Sequence, residues 1–229
     1  MTPSLVSTFW QLFRKEMLIA SRTRESVVSV LFFTFLVVLV IHFGFSLDTG
    51  GNVIPNLASF IWLSTLFGGM LRLNQTYEPE NDGKVMDGMR QIPNIAVPFY
   101  LSKLLYNLIF ILLLMSFTFV MLVVLFTVRE PLSYLSDAWL PLVLGAVGLA
   151  CIGTVFSNMV MSHNRREIIL SIIAYPILIP LIIGVFKAFV YSASGQILGL
   201  DYGWIKILAV FDLIFLVLSI ILFELILNA

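Results

Sequence analysis

The sequence predicts an all-α membrane protein with six transmembrane helices. Of its 229 residues, 60% are apolar and only 11% are charged, whereas a soluble domain carries about 25% charged residues. Six apolar segments are each long enough to cross about 30 Å of hydrocarbon. The composition excludes a disordered chain and a disulfide-stapled secreted domain. The thirteen Lys and Arg residues are balanced by thirteen Asp and Glu residues, so no net positive charge favours a nucleic acid as partner.

The first predicted element is an amphipathic helix over residues 3–24. Its apolar side chains recur at helical spacing and its basic side chains occupy the rest of the circumference, a pattern typical of a helix in the membrane interface. One transmembrane domain is predicted over residues 1–229. Its spans are predicted at residues 27–45, 54–73, 104–128, 139–161, 168–190 and 205–227.

The basic residues are distributed unevenly between the two sides of the predicted bundle. Ten of the thirteen lie in the N-terminal arm and in the second and fourth connections, and only Arg129, Lys187 and Lys206 lie on the other side. In membrane proteins, short connections on the cytoplasmic side of the membrane carry an excess of Lys and Arg. We therefore expect both termini to be cytoplasmic.

The connection at residues 74–103 is the largest on the predicted cytoplasmic side. A helix is expected from about Asp82 to Ile92, because acids favour its start and Pro93 ends it. Its Met-bearing face suits docking into a groove on another protein, although a helix that folds back on the lipid headgroups has the same pattern. The candidate contact residues are Glu78, Glu80, Asp82, Gly83, Asp87, Gly88 and Pro93.

A second cytoplasmic contact is predicted at Arg165, Arg166 and Glu167, for which simple membrane-anchoring charge is the alternative. Within the last span, Asp212 should face the bundle interior or water because a charge in hydrocarbon is costly. Lys187 is its candidate partner if the last two spans pack antiparallel. The pair then belongs either to a polar pathway or to structural packing.

Span four carries small and polar residues at four-residue spacing, which permits close approach of helices. The contact is either within the chain or between two copies. The single Cys151 excludes a disulfide framework, and no cluster with metal-ligand spacing is found. The small and polar residues that recur at four-residue spacing in span four are Ala146, Ala150, Thr154 and Asn158.

Several motifs resemble known membrane families. The pattern Glu78-x-Glu80-x-Asp82-Gly83-x4-Gly88-x4-Pro93 resembles the loop after the second span of ABC-2-type permeases. The chain is more similar to the heme exporter protein B (CcmB) family, the permease-like subunit of the cytochrome c maturation ABC complex. That resemblance rests on further stretches at Phe13–Glu16, Arg22–Glu25, Leu71–Asn74, Asn164–Glu167, Tyr175–Pro180, Phe211–Phe215 and Leu222–Glu224.

The resemblance implies a permease subunit of an ATP-driven heme exporter, not an enzyme. We expect it in the bacterial inner membrane, with the mitochondrial inner membrane as the less favoured alternative. Its implied partners are a cytoplasmic ABC ATPase and heme-handling membrane proteins, with two copies in the complex. Heme is the implied substrate rather than a resident cofactor, and His42 is the one candidate heme ligand, with ordinary hydrogen bonding as its alternative. The chain contains no Gly-x4-Gly-Lys-Ser/Thr motif, so ATP would bind to another polypeptide. The alternatives are a generic ABC-2-type export permease for another substrate, or a non-transporting scaffold that conveys ATPase work to a heme-handling neighbour.

Overall fold

A computed structural model describes residues 5–44, 53–81, 85–126, 131–159, 166–193 and 203–228. These residues form helices and no strand, as the sequence predicts. The helices are α1 (Leu5–Arg22), α2 (Arg24–Gly44), α3 (Val53–Asn74), α4 (Glu78–Asn81), α5 (Val85–Arg90), α6 (Ala96–Phe126), α7 (Pro131–Met159), α8 (Arg166–Ala193) and α9 (Gly203–Asn228).

Four helices among the described residues are long and apolar enough to cross a membrane. They are α2, α6, residues Trp139–Met159 of α7 and residues Gly203–Leu227 of α9, which coincide with the first, third, fourth and sixth predicted spans. The fifth predicted span contains a shorter apolar helical segment, Pro176–Ser192. The second corresponds to α3, which is not one of the four and carries Arg72 in its last turn. The count of six spans stays a prediction.

Helix α7 is the centre of the bundle, and it packs against α3, α6, α8 and α9. In the apolar stretch within Trp139–Met159 of α7, 78% of the residues are buried inside the chain. Glycines on α7 allow this close packing, since a Cβ on Gly145 would lie 2.3 Å from the ring of Trp62, and one on Gly153 would lie 2.2 Å from Leu73 Cδ1.

The small-residue face of α7 is used within the chain. Ala146, Ala150 and Thr154 have no exposed surface, and Asn158 is 5% exposed. Of the two alternatives that the spacing leaves open, the structure shows the intrachain contact for these four residues.

The start of α6 corrects the predicted extent of the loop at 74–103. The helix begins at Ala96 and not at residue 104, so residues 96–103 are the first two turns of a long helix. Pro98 is tolerated there because the first turn of a helix does not use its backbone amides. Asn94 turns the chain into the helix with a φ of 58°, a conformation that Asn adopts more readily than most residues.

Candidate functional site

The loop between α3 and α6 contains two short helices instead of the single longer one predicted. Helix α5 covers Val85–Arg90, and the chain leaves it before Pro93. Helix α4 follows α3 through consecutive turns, in which the amide of Thr76 donates to the carbonyl of Leu73 and the amide of Glu80 donates to the carbonyl of Tyr77. These turns place Glu80 against the start of α6.

A buried ion network joins this loop to α1 and α6. Lys103 of α6 has no exposed surface. Its Nζ lies 2.7 Å from Glu80 Oε2, 2.7 Å from the carbonyl oxygen of Thr76 and 3.1 Å from Glu16 Oε2. Three acceptors for one ammonium use all the donors that lysine has.

Lys15 of α1 completes the network from its more exposed side. Its Nζ lies 2.5 Å from Glu80 Oε1 and 3.4 Å from Glu16 Oε1. Two lysines therefore face two glutamates, and the four formal charges cancel. Because Glu16 and Glu80 are 4% and 1% exposed, this neutrality is needed to keep the acids ionised away from water. We call Lys15, Glu16, Glu80 and Lys103 the ion network.

Aromatic rings enclose the ion network and connect it to α9. The ammonium of Lys103 lies 5.0 Å from the ring centroid of Tyr77 and 5.8 Å from that of Phe99. Phe223 of α9 packs on these rings, with centroids 6.4 Å from Tyr77 and 5.8 Å from Phe99. The rings keep water out and supply cation–π attraction.

A second polar connection runs from the loop into the centre of the bundle. The hydroxyl of Thr76 donates to Asn107 Oδ1 at 3.3 Å, and Asn107 Nδ2 donates to the hydroxyl of Thr154 at 2.9 Å. All three side chains are buried. Thr76 therefore contacts Lys103 through its carbonyl and α7 through its side chain by way of Asn107.

The electrostatics of the ion network are visible in two pKa shifts. Burial alone would raise the pKa of Glu80, but the charges and hydrogen bonds of Lys103 and Lys15 outweigh it and lower that pKa below its ordinary value. The pKa of Tyr77 is raised well above its usual value, first by burial and then by Tyr100, Glu80 and Glu16. Glu80 is thus held as a carboxylate and Tyr77 as a neutral phenol.

Burial of Glu80 corrects its predicted place on the docking surface. A side chain that is 1% exposed does not reach a partner, and Glu80 instead fixes the loop from within. Glu78, Gly88 and Pro93 are exposed as predicted. Asp82 and Gly83 lie outside the described residues, as does the side chain of Asp87.

The short helix α5 has an inner and an outer face. Met89 is half-buried and packs on the core, so the predicted Met-bearing face points inward at this position. Val85 and Ile92 are 37% and 48% exposed, and a Cβ on Gly88 would meet no atom within 4 Å. We call Val85, Gly88 and Ile92 the outer face of the loop.

The second predicted cytoplasmic contact falls largely outside the described residues. Arg165 lies outside the described residues, as do the side chains of Arg166 and Glu167. His42, at the end of α2, packs its ring against Phe126 with centroids 4.9 Å apart. Among the residues that the structure describes, no group of three His, Cys, Asp or Glu side chains is placed to hold a metal ion.

The predicted pair of Lys187 and Asp212 is not formed. Lys187 is exposed, whereas Asp212 is 6% exposed. Within the described ranges, neither of its carboxyl oxygens has a hydrogen-bond partner. Asp212 lies instead beside Gly148, where a Cβ would be 2.6 Å from its Oδ1. Asp212 therefore lies in the bundle interior, one of the two surroundings that the sequence left open, and it forms no ion pair with Lys187.

Comparison with protein families matches residues 7–225 to the family described as CcmB protein. The chain belongs to the CcmB family. The match covers nearly the whole chain, so most of α1 and all of the loop and α6 lie inside the family region. Membership assigns the chain to the membrane components of heme transport in cytochrome c biogenesis. No curated protein sequence matches the chain.

Sequence reasoning missed three members of the ion network in this CcmB-family chain. Lys103 was expected at the end of a loop, although Leu101 and Leu104 on either side already indicate an apolar surrounding. Lys15 and Glu16 were expected on the basic arm as interfacial charge. The signal that marks Lys103 is a lone lysine in an otherwise apolar helical stretch, since such a lysine needs an acid partner.

Proposed function

We propose that this chain is the permease subunit of an ATP-driven heme exporter whose ATPase is a separate subunit. In this proposal six spans cross the bacterial inner membrane, both termini are cytoplasmic, and two copies assemble with the ATPase and with heme-handling membrane proteins. Membership of the CcmB family supports the role in heme export. The lack of a P-loop motif in this chain supports a separate ATPase.

The observation that carries the proposal is the attachment of the loop to the spans. Glu80 and Thr76 are both held by Lys103 of α6, and Thr76 is also bonded to Asn107. Buried ion pairs and hydrogen bonds of this kind hold the elements that they join in a fixed geometry. A displacement of the loop is therefore passed to α6 and α1 and is not absorbed by a flexible tether.

The outer face of the loop is the proposed contact with the ATPase. Val85 and Ile92 expose apolar side chains beside Gly88, which suits insertion into a shallow groove on a protein partner. Closure of the ATPase dimer would push this face. The ion network would then transmit this displacement to α6. Helix α6 would repack against α3 and α7, and this repacking would change the access of heme to the protein or its affinity for heme.

Co-purification with the ATPase subunit tests this contact. The double variant V85E/I92E should lose the ATPase, since two acids would face the apolar groove of the partner. The matched control is Q91E, which adds an acid at an exposed position of the same loop and should retain the ATPase. Normal binding and ATP turnover in V85E/I92E would contradict the proposal.

A non-transporting scaffold is the second candidate, and one surface feature favours it. An open apolar groove of about 430 Å³ lies between α3, α6 and α7. Such a groove suits a transmembrane helix of a neighbouring heme-handling protein. It is lined by Ile61, Leu112, Met115, Ser116, Phe119, Val120, Trp139, Leu142 and Val143.

Flux in vesicles that contain the purified complex separates these candidates. ATP-dependent movement of heme into the vesicle lumen supports a transporter. ATP turnover without heme movement, together with heme loading of the membrane neighbour, supports the scaffold. Movement of another substrate but not of heme would support a generic ABC-2-type export permease.

A further inference from the structure

Asp212 is an acid inside the apolar helix α9 that the proposed ATPase coupling does not use. Its residue surface is 6% exposed. Among the described residues, neither Oδ1 nor Oδ2 finds a hydrogen-bond partner. Charged side chains inside membrane segments are rare and are as a rule paired or functional, and this carboxyl is not paired.

The carboxyl of Asp212 is enclosed by three helices of the same chain. A Cβ on Gly148 of α7 would lie 2.6 Å from Asp212 Oδ1 and 2.7 Å from Leu181 Cδ1 of α8. The missing side chain at Gly148 thus makes a notch that the carboxyl occupies and Leu181 closes. At 6% exposure, Asp212 presents little surface to lipid headgroups or to a partner subunit.

The titratable side chains around the notch also leave the carboxyl unpaired. Cys151 of α7 is within electrostatic range of Asp212, but a thiol carries no positive charge. Tyr100 of α6 and Ser219 of α9 both donate their hydroxyls to the carbonyl of Cys151, at 3.4 Å and 3.3 Å. Lys187 of α8 is exposed.

The remaining charged side chains of α9 are also directed outward. Lys206, near the start of the helix, and Glu224, near its end, are both exposed. Within the described part of the chain, the carboxyl therefore has neither a cation nor a hydrogen-bond donor to stabilise a negative charge.

An ionised carboxylate in such a place would be an isolated charge in an apolar site. Its desolvation costs many kcal/mol unless it is compensated, and a buried acid avoids this cost by keeping its proton. Because nothing in the described structure bonds to the carboxyl, structural pairing does not account for the acid either.

We propose that Asp212 is a proton-binding site of the membrane domain. With the Gly148 notch closed, the carboxyl holds a proton. When α8 or α9 moves away from α7, water reaches the site, the carboxyl O–H bond breaks heterolytically, and the proton passes to water while the electron pair stays on the carboxylate. The ligand is a proton, and closing of the notch requires that it be rebound.

Infrared spectroscopy of the full chain in lipid nanodiscs tests whether the proton is present. At neutral pH the wild-type chain should show the carbonyl stretch of a protonated carboxylic acid. This band should be absent in D212N, which keeps the size of the side chain, and should persist in the matched control E224Q, which changes the exposed acid of the same helix. A band of equal intensity in D212N, or no such band in the wild type, would overturn the proposal.

Labelling with dicyclohexylcarbodiimide tests whether the proton is exchangeable. This apolar reagent adds to a protonated carboxyl, and the adduct can be located by mass spectrometry. We expect an adduct on Asp212 that decreases as the pH rises. G148A should increase labelling at a given pH, since the added Cβ pushes the carboxyl out of the notch. The absence of an adduct on Asp212 at any pH, in both the wild type and G148A, would contradict an exchangeable proton. Loss of ATPase coupling in other variants tests the proposed function and not this proton site.

Discussion

The ammonium of Lys103 lies 2.7 Å from Glu80 Oε2, and the two side chains are 0% and 1% exposed. Lys103 belongs to a long helix of the bundle, while Glu80 belongs to the loop that we propose as the contact with an ATPase. An ion pair with so little solvent acts as a fixed joint, because separating the charges without water is costly.

Removal of the lysine charge should destabilise the chain strongly. K103M keeps the length of the side chain but leaves Glu16 and Glu80 with Lys15 as their one remaining cation in the ion network. Breaking a buried pair in this way costs about 3–5 kcal/mol. The free energy of unfolding in detergent should fall by this amount in K103M and change little in the control K187M, whose lysine is exposed. Equal stability of K103M and K187M would show that the buried ion pair of Lys103 contributes nothing to the free energy of unfolding.

The stabilisation by Glu80 should depend on pH with a definite sign. Because the folded pKa of Glu80 is lowered, its contribution is fully present above its unfolded pKa of about 4.3 and is lost as the pH falls through the folded pKa. E80Q does not titrate at this position. The difference in unfolding free energy between the wild-type chain and E80Q should therefore shrink as the pH is lowered below about 4.3. A constant difference across that range would be inconsistent with the ion network.

Packing around α7 predicts a second kind of destabilisation. G145A would place a methyl group 2.3 Å from the rigid ring of Trp62, and such overpacking costs about 1–3 kcal/mol. The matched control is G88A, where the methyl group meets no atom within 4 Å. Thermal unfolding should separate the two variants, and equal melting temperatures would show that α3 and α7 are less closely packed.

The orientation of α1 in the membrane interface stays a prediction that fluorescence can test. Val6, Trp10 and Met17 lie on one side of α1 and are 67%, 57% and 45% exposed, while Glu16 faces the bundle. A chain whose only tryptophan is Trp10 should be quenched by lipids that are brominated near the headgroup. Quenching by aqueous iodide but not by these lipids would place the helix in water instead.

The sequence predicts the helical class and that Asp212 faces the bundle interior or water, because both depend on local hydropathy. It does not predict the partners of charges, since Glu16, Glu80 and Lys103 come together only when three helices pack. The same limitation explains Lys187, which antiparallel packing of the last two spans could bring to Asp212 but which the packing of α8 leaves exposed. The sequence does not predict the start of α6 at Ala96, because Lys103 interrupts the apolar pattern that marks a span.

The small residues of α7 are a second case in which the sequence predicts a contact but not its partner. Spacing predicts that Ala146 and Thr154 permit a close contact, but it does not say whether the contact is within one chain or between two. Only the packed bundle, in which both are fully buried, decides this for the described residues.

The measurement that tests the central claim most directly is ATP-driven cytochrome c maturation by the complex that contains K103M, compared per assembled complex with the wild type. The residues of the outer face are unchanged in this variant, so in complexes that assemble the ATPase should still co-purify and hydrolyse ATP. With the joint between the loop and α6 broken, we predict that maturation falls at least tenfold while ATP turnover persists. Maturation at the wild-type rate in correctly assembled K103M complexes would contradict the claim that the ion network conveys the motion of the loop.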